Sequence, residues 1–208
     1  MLPEAGLVSF QALSEMELAL ARRRAIASGE IWASRIWCSL PSSDSSTSAQ
    51  GRQVKLFLGS GQDASNADKL RENGVTHVVN VADDVENFHP GQFVYCNLNV
   101  TDFGGDAGIS RVFDQAADFI HKATLSCEPE PGEGPGILVH CANGSNRSST
   151  VVIACLMILQ GLDLARAFNK VKKAHSKTRP LGDNRRQLMD FERRLFPRMA
   201  ESDYFTFP

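Results

Sequence analysis

Apolar and polar positions along this chain predict helices first, then strands layered with helices. Over residues 9–37, Ala, Glu, Leu and Arg predominate and Leu13, Met16, Leu20 and Ile26 supply apolar positions, which predicts one or two helices running through Arg35, Ile36 and Trp37. Residues 54–58, followed by Gly59-Ser60-Gly61, predict a short strand, and residues 64–73 predict a helix closed by Gly74. Residues 75–82 are β-branched enough for a buried parallel strand, and residues 93–100 alternate as another. From 109 to 123, Val112, Phe113, Ala116, Phe119 and Ile120 share one helical face. Ile137, Leu138 and Val139 predict a buried strand, and the unbroken apolar run 151–159 predicts a helix ended by Gly161. Residues 165–174 and 185–196 follow as amphipathic helices separated by Pro180, and the tail after Pro197 carries no strong pattern. This order predicts an α/β fold with a mixed, mostly parallel central sheet flanked by helices.

The run 41–51 is rich in Ser and has too little apolar surface to order itself. It divides the chain into a helical extension (1–40), a linker (41–51), one main domain (52–197) and a tail (198–208). Hydrophobic residues make up 42% and the net charge is −2, which suits a globular chain and argues against a globally basic nucleic-acid binder. Arg22, Arg23 and Arg24 fit a solvated helix face better than a nuclear or phosphate-binding signal. The five cysteines Cys38, Cys96, Cys127, Cys141 and Cys155 include no C-x-x-C pair, so neither a zinc site nor a disulfide framework is expected. With no apolar run of membrane-spanning length and no basic-then-apolar start, a reducing compartment, cytosol or nucleus, is the expected location.

Candidate chemistry concentrates between the predicted strand at 137–139 and the predicted helix at 151–159. The connecting residues are His140, Cys141, Ala142, Asn143, Gly144, Ser145, Asn146, Arg147 and Ser148. Five residues separate the thiol from the guanidinium, so a loop that wraps once points backbone N–H groups and Arg147 at one centre beside Cys141. The unpaired N–H groups of the helix's first turn add to it. Such a cup suits a phosphate dianion and favours the thiolate form of a thiol beneath it. A cysteine standing alone before a helix would be read as a small buried hydrophobe; the company of His140, Gly144, Arg147 and Ser148 argues otherwise.

That compound pattern resembles the signature of the cysteine-dependent protein phosphatases, the dual-specificity branch in particular. Leu58-Gly-Ser, Asp63-Ala, the run 74–82 and Val85-Glu-Asn are similar to the opening half of the small atypical members, so the resemblance spans roughly residues 54–196. It implies a protein phosphatase that uses Cys141 as nucleophile and Arg147 to grip the phosphoryl oxygens. Backbone N–H groups of Ala142, Asn143, Gly144, Ser145, Asn146 and Arg147 would bind substrate, and Ser148 would donate its hydroxyl to the Cys141 sulfur or cap the helix. His140 is implied as a structural support for the loop. Asp102, which opens a glycine-containing loop after a predicted strand, matches the family's general acid. Its 39-residue distance from Cys141 is long for the family, and the expanded loop 124–136 accounts for the excess. Asp106 competes for the role, although Asp at that point also suits a helix cap. Neither metal nor cofactor is implied, and the implied partner is a phosphorylated protein. Lys170, Lys172, Lys173, His175, Lys177 and Arg179 form a basic run that either attracts such substrates or is a solvated helix face. Cys96 and Cys155, in apolar stretches, are expected to be buried.

Two departures stand out. Asn146 precedes the arginine where many relatives have serine, with Asn143 likewise in place of a small residue, and Pro180 is followed by Leu181, Gly182, Asp183 and Asn184 where the family often shows Pro-Asn-x-Gly-Phe. The second puts a support for the catalytic loop in doubt. Three rivals compete with the reading. An inositol-phospholipid phosphatase should line the cup with lysines, but Ala142, Asn143, Ser145 and Asn146 are uncharged. An RNA 5′-triphosphatase of the same superfamily can carry Asn before the arginine yet typically lacks the aspartate. A catalytically weak phosphoprotein-binding scaffold would not need Cys141.

Overall fold

A computed structural model describes residues 33–39, 53–102, 107–126, 134–200 and 204–207. The expectations for residues 9–32, for the linker, for Cys127, for Asp106 and for the centre of the 124–136 loop lie outside the described residues.

Five strands form one sheet: β1 (Ser34–Ser39), β2 (Gln53–Ser60), β3 (Val75–Ala82), β4 (Val94–Val100) and β5 (Gly136–Cys141). Their order is β1-β2-β5-β3-β4, with β1 antiparallel to β2 and every other pair parallel. The mixed, mostly parallel sheet therefore stands as expected. β5 is buried along its whole length at the centre, as the unbroken apolar run Ile137-Leu138-Val139 requires. Side chains alternate across it. Leu56, Leu58, Val79, Val81, Ile137 and Val139 join the main core, whereas Phe57, Val78, Leu138 and Leu70 are buried outside that cluster.

The helices are α1 (Gly61–Ala64), α2 (Ala67–Glu72), α3 (Phe113–Ser126), α4 (Arg147–Gln160), α5 (Leu164–Ala174) and α6 (Gly182–Leu195), with a 3₁₀ turn over Ile109–Val112. α4 packs against α3, α5 and α6, and every residue from Arg147 to Met157 is buried. It ends at Gly161, in the left-handed conformation that glycine adopts without strain (φ +62°).

Four expectations about the elements need correction. Residues 34–39 are a strand, not the end of a helix: Ile36 and Trp37 suit a pleated surface, and β2 would otherwise present an unpaired edge. This strand lies within the compact unit Ala33–Pro208. The helix expected over 64–73 is two helices broken at Ser65-Asn66, because the local polar side chains bond the backbone themselves. Ser60 and Asp63 form a capping box on α1, and Asn66 Oδ1 accepts the Lys69 N–H at 3.0 Å. The last helix starts at Gly182, three residues before Arg185, and α3 runs to Ser126, taking the first three residues of the expected loop.

Candidate active site

The parallel strands deliver their carboxyl ends to one edge, the usual place for a site in an α/β sheet. Cys141 is the last residue of β5 and stands in register with Ser60 of β2. The chain then loops through Ala142–Asn146 and enters α4 at Arg147. Gly144 makes this turn at φ +73°, and a Cβ there would lie 2.7 Å from the Gly59 carbonyl oxygen. Only glycine fits both demands.

The loop's carbonyls are tied outward. Gly61 N–H donates to Ala142 O (3.1 Å), Arg179 N–H to Ser145 O (2.8 Å), Ser149 Oγ to Gly144 O (3.2 Å), and Thr150 N–H and Oγ1 to Asn146 O (2.9 and 2.8 Å). The amide edge is thus the side left for an anion. Gly144 N–H points at Cys141 Sγ (3.3 Å), and Ser148 Oγ lies 3.2 Å from the same sulfur. Asn146 occupies the N-cap of α4, so Ser148, inside the helix, serves the sulfur and does not cap.

Arg147 is buried. Its Nη1 donates to Asp84 Oδ1 (2.7 Å), Val100 O (3.0 Å) and Asp83 Oδ1 (3.3 Å), while Nη2 is 3.5 Å from Asp102 Oδ2. Its buried Nε has no hydrogen-bond partner among the described residues, so the Nε–Nη2 edge can take two oxygens of one ligand. Desolvation alone would lower the pKa of this guanidinium, but the Asp84 hydrogen bond and the charges of Asp102 and Cys141 outweigh it and raise the value. In return the Arg147 hydrogen bond holds the Asp84 carboxyl below its ordinary range. Asp83 and Asp84 were not among the residues singled out from the sequence; two consecutive acids at the carboxyl end of a predicted parallel strand were the available signal.

Asp102, two residues past the end of β4, reaches the loop: Asn146 Nδ2 donates to its Oδ1 at 2.9 Å. The structure therefore brings Cys141, Arg147, Ser148 and Asp102 together. His140 is fully buried directly before Cys141, neither of its ring nitrogens has a hydrogen-bond partner among the described residues, and burial drives its pKa from 6.5 down to about 4 against the opposing effect of the Cys141 backbone. Asn143 is exposed, while Ala142 and Ser145 are half-buried. The doubted support is present in another form. Leu181 N–H and Asn184 Nδ2 both donate to Asn146 Oδ1, at 2.9 and 3.0 Å.

The basic run is partly structural. Lys172 Nζ donates to the carbonyls of Ser176 and Thr178, and Lys170 Nζ to Gln160 Oε1, whereas Arg179 is exposed beside the loop. Cys96 and Cys155 are buried, and burial raises the pKa of Cys96. Among the described residues no group of three His, Cys, Asp or Glu side chains is placed to hold a metal.

Residues 56–194 match the model of the dual specificity phosphatase catalytic domain. The chain is 36% identical over 152 residues to Dual specificity protein phosphatase 1 of Arabidopsis thaliana, covering 73% of this chain and 71% of that one. It is 37% identical over 157 residues to Dual specificity protein phosphatase 14 of Homo sapiens, covering 74% and 75%. Among solved structures, human DUSP28 superposes with a TM-score of 0.60 at 29% identity, covering 67% of this chain and 89% of that chain.

Proposed function

The chain belongs to the dual specificity phosphatase family, and we propose that it hydrolyses phosphotyrosine and also phosphoserine or phosphothreonine in proteins through a phosphocysteine intermediate. Cys141 Sγ attacks phosphorus as the bond from phosphorus to the ester oxygen breaks, and Asp102 gives that leaving oxygen its proton. Asp102, now a carboxylate, takes a proton from water as the water oxygen attacks phosphorus. The S–P bond breaks, inorganic phosphate leaves and the sulfur regains its electron pair. Arg147 and the amide edge of the loop stabilise the charge on the three equatorial oxygens. Ser148 assists the second step by donating to the departing sulfur.

The observation that carries this reading is the convergence on one loop of a sulfur contacted by Ser148 Oγ and Gly144 N–H, an arginine whose Nε has no hydrogen-bond partner among the described residues, and a carboxylate that follows a separate strand. Uncharged Ala142, Asn143, Ser145 and Asn146 favour phosphoproteins over polyphosphorylated lipids.

The test compares wild type with Cys141→Ser and Asp102→Ala on an aryl phosphate and on tyrosine, serine and threonine phosphopeptides. Cys141→Ser should abolish turnover, and Asp102→Ala should cut kcat by about 10²- to 10⁴-fold and change its pH profile. Turnover surviving in Cys141→Ser removes the covalent mechanism. Tight phosphopeptide binding by wild type with no phosphocysteine trapped on quenching would favour the scaffold instead.

A further inference from the structure

The chain's two departures from the family pattern meet each other in space. Asn146 lies before Arg147, and the turn after Pro180 is Leu181, Gly182, Asp183 and Asn184. The Asn146 side chain joins that turn to Asp102: Oδ1 accepts from Leu181 N–H (2.9 Å) and Asn184 Nδ2 (3.0 Å), while Nδ2 donates to Asp102 Oδ1 (2.9 Å). A backbone N–H can only donate, so the Leu181 contact fixes which end of the amide faces the carboxylate. Asn146 is 8% exposed, and its carbonyl is held by Thr150, so neither end of the residue is free to swing. It sits at the N-cap of α4, where asparagine ordinarily bonds the helix's own N–H groups, yet its side chain makes no such bond. The amide is committed to Asp102 instead.

We propose that Asn146 is a positioning residue for Asp102, anchored by the 181–184 turn, that fixes the orientation of the carboxyl group and selects the oxygen that carries the proton. This rests on the reading of Asp102 as the general acid. The chemistry follows from donor and acceptor counting. With an amide N–H aimed at Oδ1, a proton on Oδ1 would set two donors against each other, so the protonated acid carries its hydrogen on Oδ2. Oδ2 is 3.5 Å from Arg147 Nη2, beyond a strong hydrogen bond, and lies on the arginine side of the carboxyl group. The leaving oxygen of a phosphoryl group held by Arg147 is thereby offered the proton-bearing oxygen. The turn, which lacks the family's usual sequence, supplies the anchor through a main-chain N–H and Asn184.

A residue acting through the general acid must matter most when the leaving group needs protonation. The experiment is a leaving-group series of aryl phosphates, from nitrophenyl to phenyl to an alkyl-substituted phenyl, on wild type, Asn146→Ala, Asn184→Ala, Asp102→Ala and the double variant Asn146→Ala/Asp102→Ala. For Asn146→Ala, kcat should fall about 10- to 100-fold on the poorest leaving group and less than about threefold on the best. Asn184→Ala should show the same tilt at smaller size. In the Asp102→Ala background, Asn146→Ala should cost nothing further. Inhibition by inorganic phosphate, which reports the loop without the proton transfer, should stay within about threefold of wild type in Asn184→Ala. An equal loss across the series, or full additivity with Asp102→Ala, overturns the proposal and leaves the function standing. A leaving-group dependence unchanged by Asp102→Ala itself overturns the acid assignment, and the proposal falls with it.

Discussion

His140 stands one residue before Cys141 with its ring buried, and burial holds its pKa at about 4 against 6.5 in an exposed chain. Between those values the unfolded chain takes up a proton that the folded chain refuses. Stability contributed by the neutral ring is therefore complete above about pH 6.5 and declines as pH falls toward 4. The expected loss at pH 5 relative to pH 7.5 is about 2 kcal/mol from this group. His175, whose pKa is also lowered chiefly by burial, adds a decline of the same sign. Urea unfolding at both pH values should show a drop in wild type that shrinks by about that amount in His140→Gln, whatever the variant's stability at pH 7.5. An undiminished drop would show that His140 is not the group refusing the proton. The sequence placed His140, Cys141, Gly144, Arg147, Ser148 and Asp102 at the site because each occupies a fixed offset in a local pattern or the end of a strand. Asp83, Asp84 and the amide of Asn146 were not legible in that way. Their partners lie 63 and 64 residues off for Arg147, and 35, 38 and 44 residues off for Asn146, distances no local pattern encodes.

The loop between β5 and α4 is shaped by its contact with the end of β2. Gly144 combines φ +73° with an approach so close that a Cβ would sit 2.7 Å from Gly59 O, a main-chain atom that has no rotamer to give. Gly144→Ala should lower stability by roughly 2 to 4 kcal/mol and kcat/KM on an aryl phosphate by at least about tenfold, since the strain falls on the turn that aims Gly144 N–H at Cys141 Sγ. Urea unfolding and steady-state kinetics on the same preparation check both halves. A variant with wild-type values would mean that the turn can relax without moving the sulfur. Elements announced themselves in proportion to how local their cause is. β3, β4 and β5 were legible as apolar or alternating runs, and α4 as an apolar run closed by Gly161. β1 was not, because Ile36 and Trp37 follow a stretch of helix formers and become a strand only by pairing with β2, from Ser34 opposite Leu58 to Ser39 opposite Gln53. The break between α1 and α2 was hidden for the opposite reason: Ser60, Asp63 and Asn66 bond nearby backbone and override a weak helical period.

The unit from Ala33 to Pro208 is closed by its last residues, which the sequence pattern left without a role. Phe168 of α5 meets Phe205 and Phe207 with ring centroids 5.7 and 5.1 Å apart, and the latter two rings are 5.0 Å from each other. Arg185 and Arg193 of α6 lie over Phe207 and Tyr204. Beneath them, fully buried Glu192 accepts the Leu164 N–H at the start of α5 through Oε1 (2.7 Å) and the Phe205 N–H through Oε2 (3.0 Å). One carboxylate thus satisfies a helix N-terminus and pins the tail. Glu192→Ala strands the buried Leu164 N–H and releases Phe205, and should cost about 2 to 4 kcal/mol. A chain ending before Tyr204 keeps the Leu164 bond and loses the aromatic packing and two hydrogen bonds, Phe205 N–H to Glu192 and Tyr204 OH to the Phe196 carbonyl, neither of which leaves a helix N-terminus unpaired, so its cost should be smaller, about 1 to 3 kcal/mol. Its kcat on an aryl phosphate should remain within about twofold of wild type, because Asn146 is anchored by Leu181 N–H and Asn184, neither of which bonds the tail. Urea midpoints that place the truncation below Glu192→Ala would reverse this order and make the aromatic cluster, not the buried carboxylate, the main fastening between the tail and the α5–α6 pair.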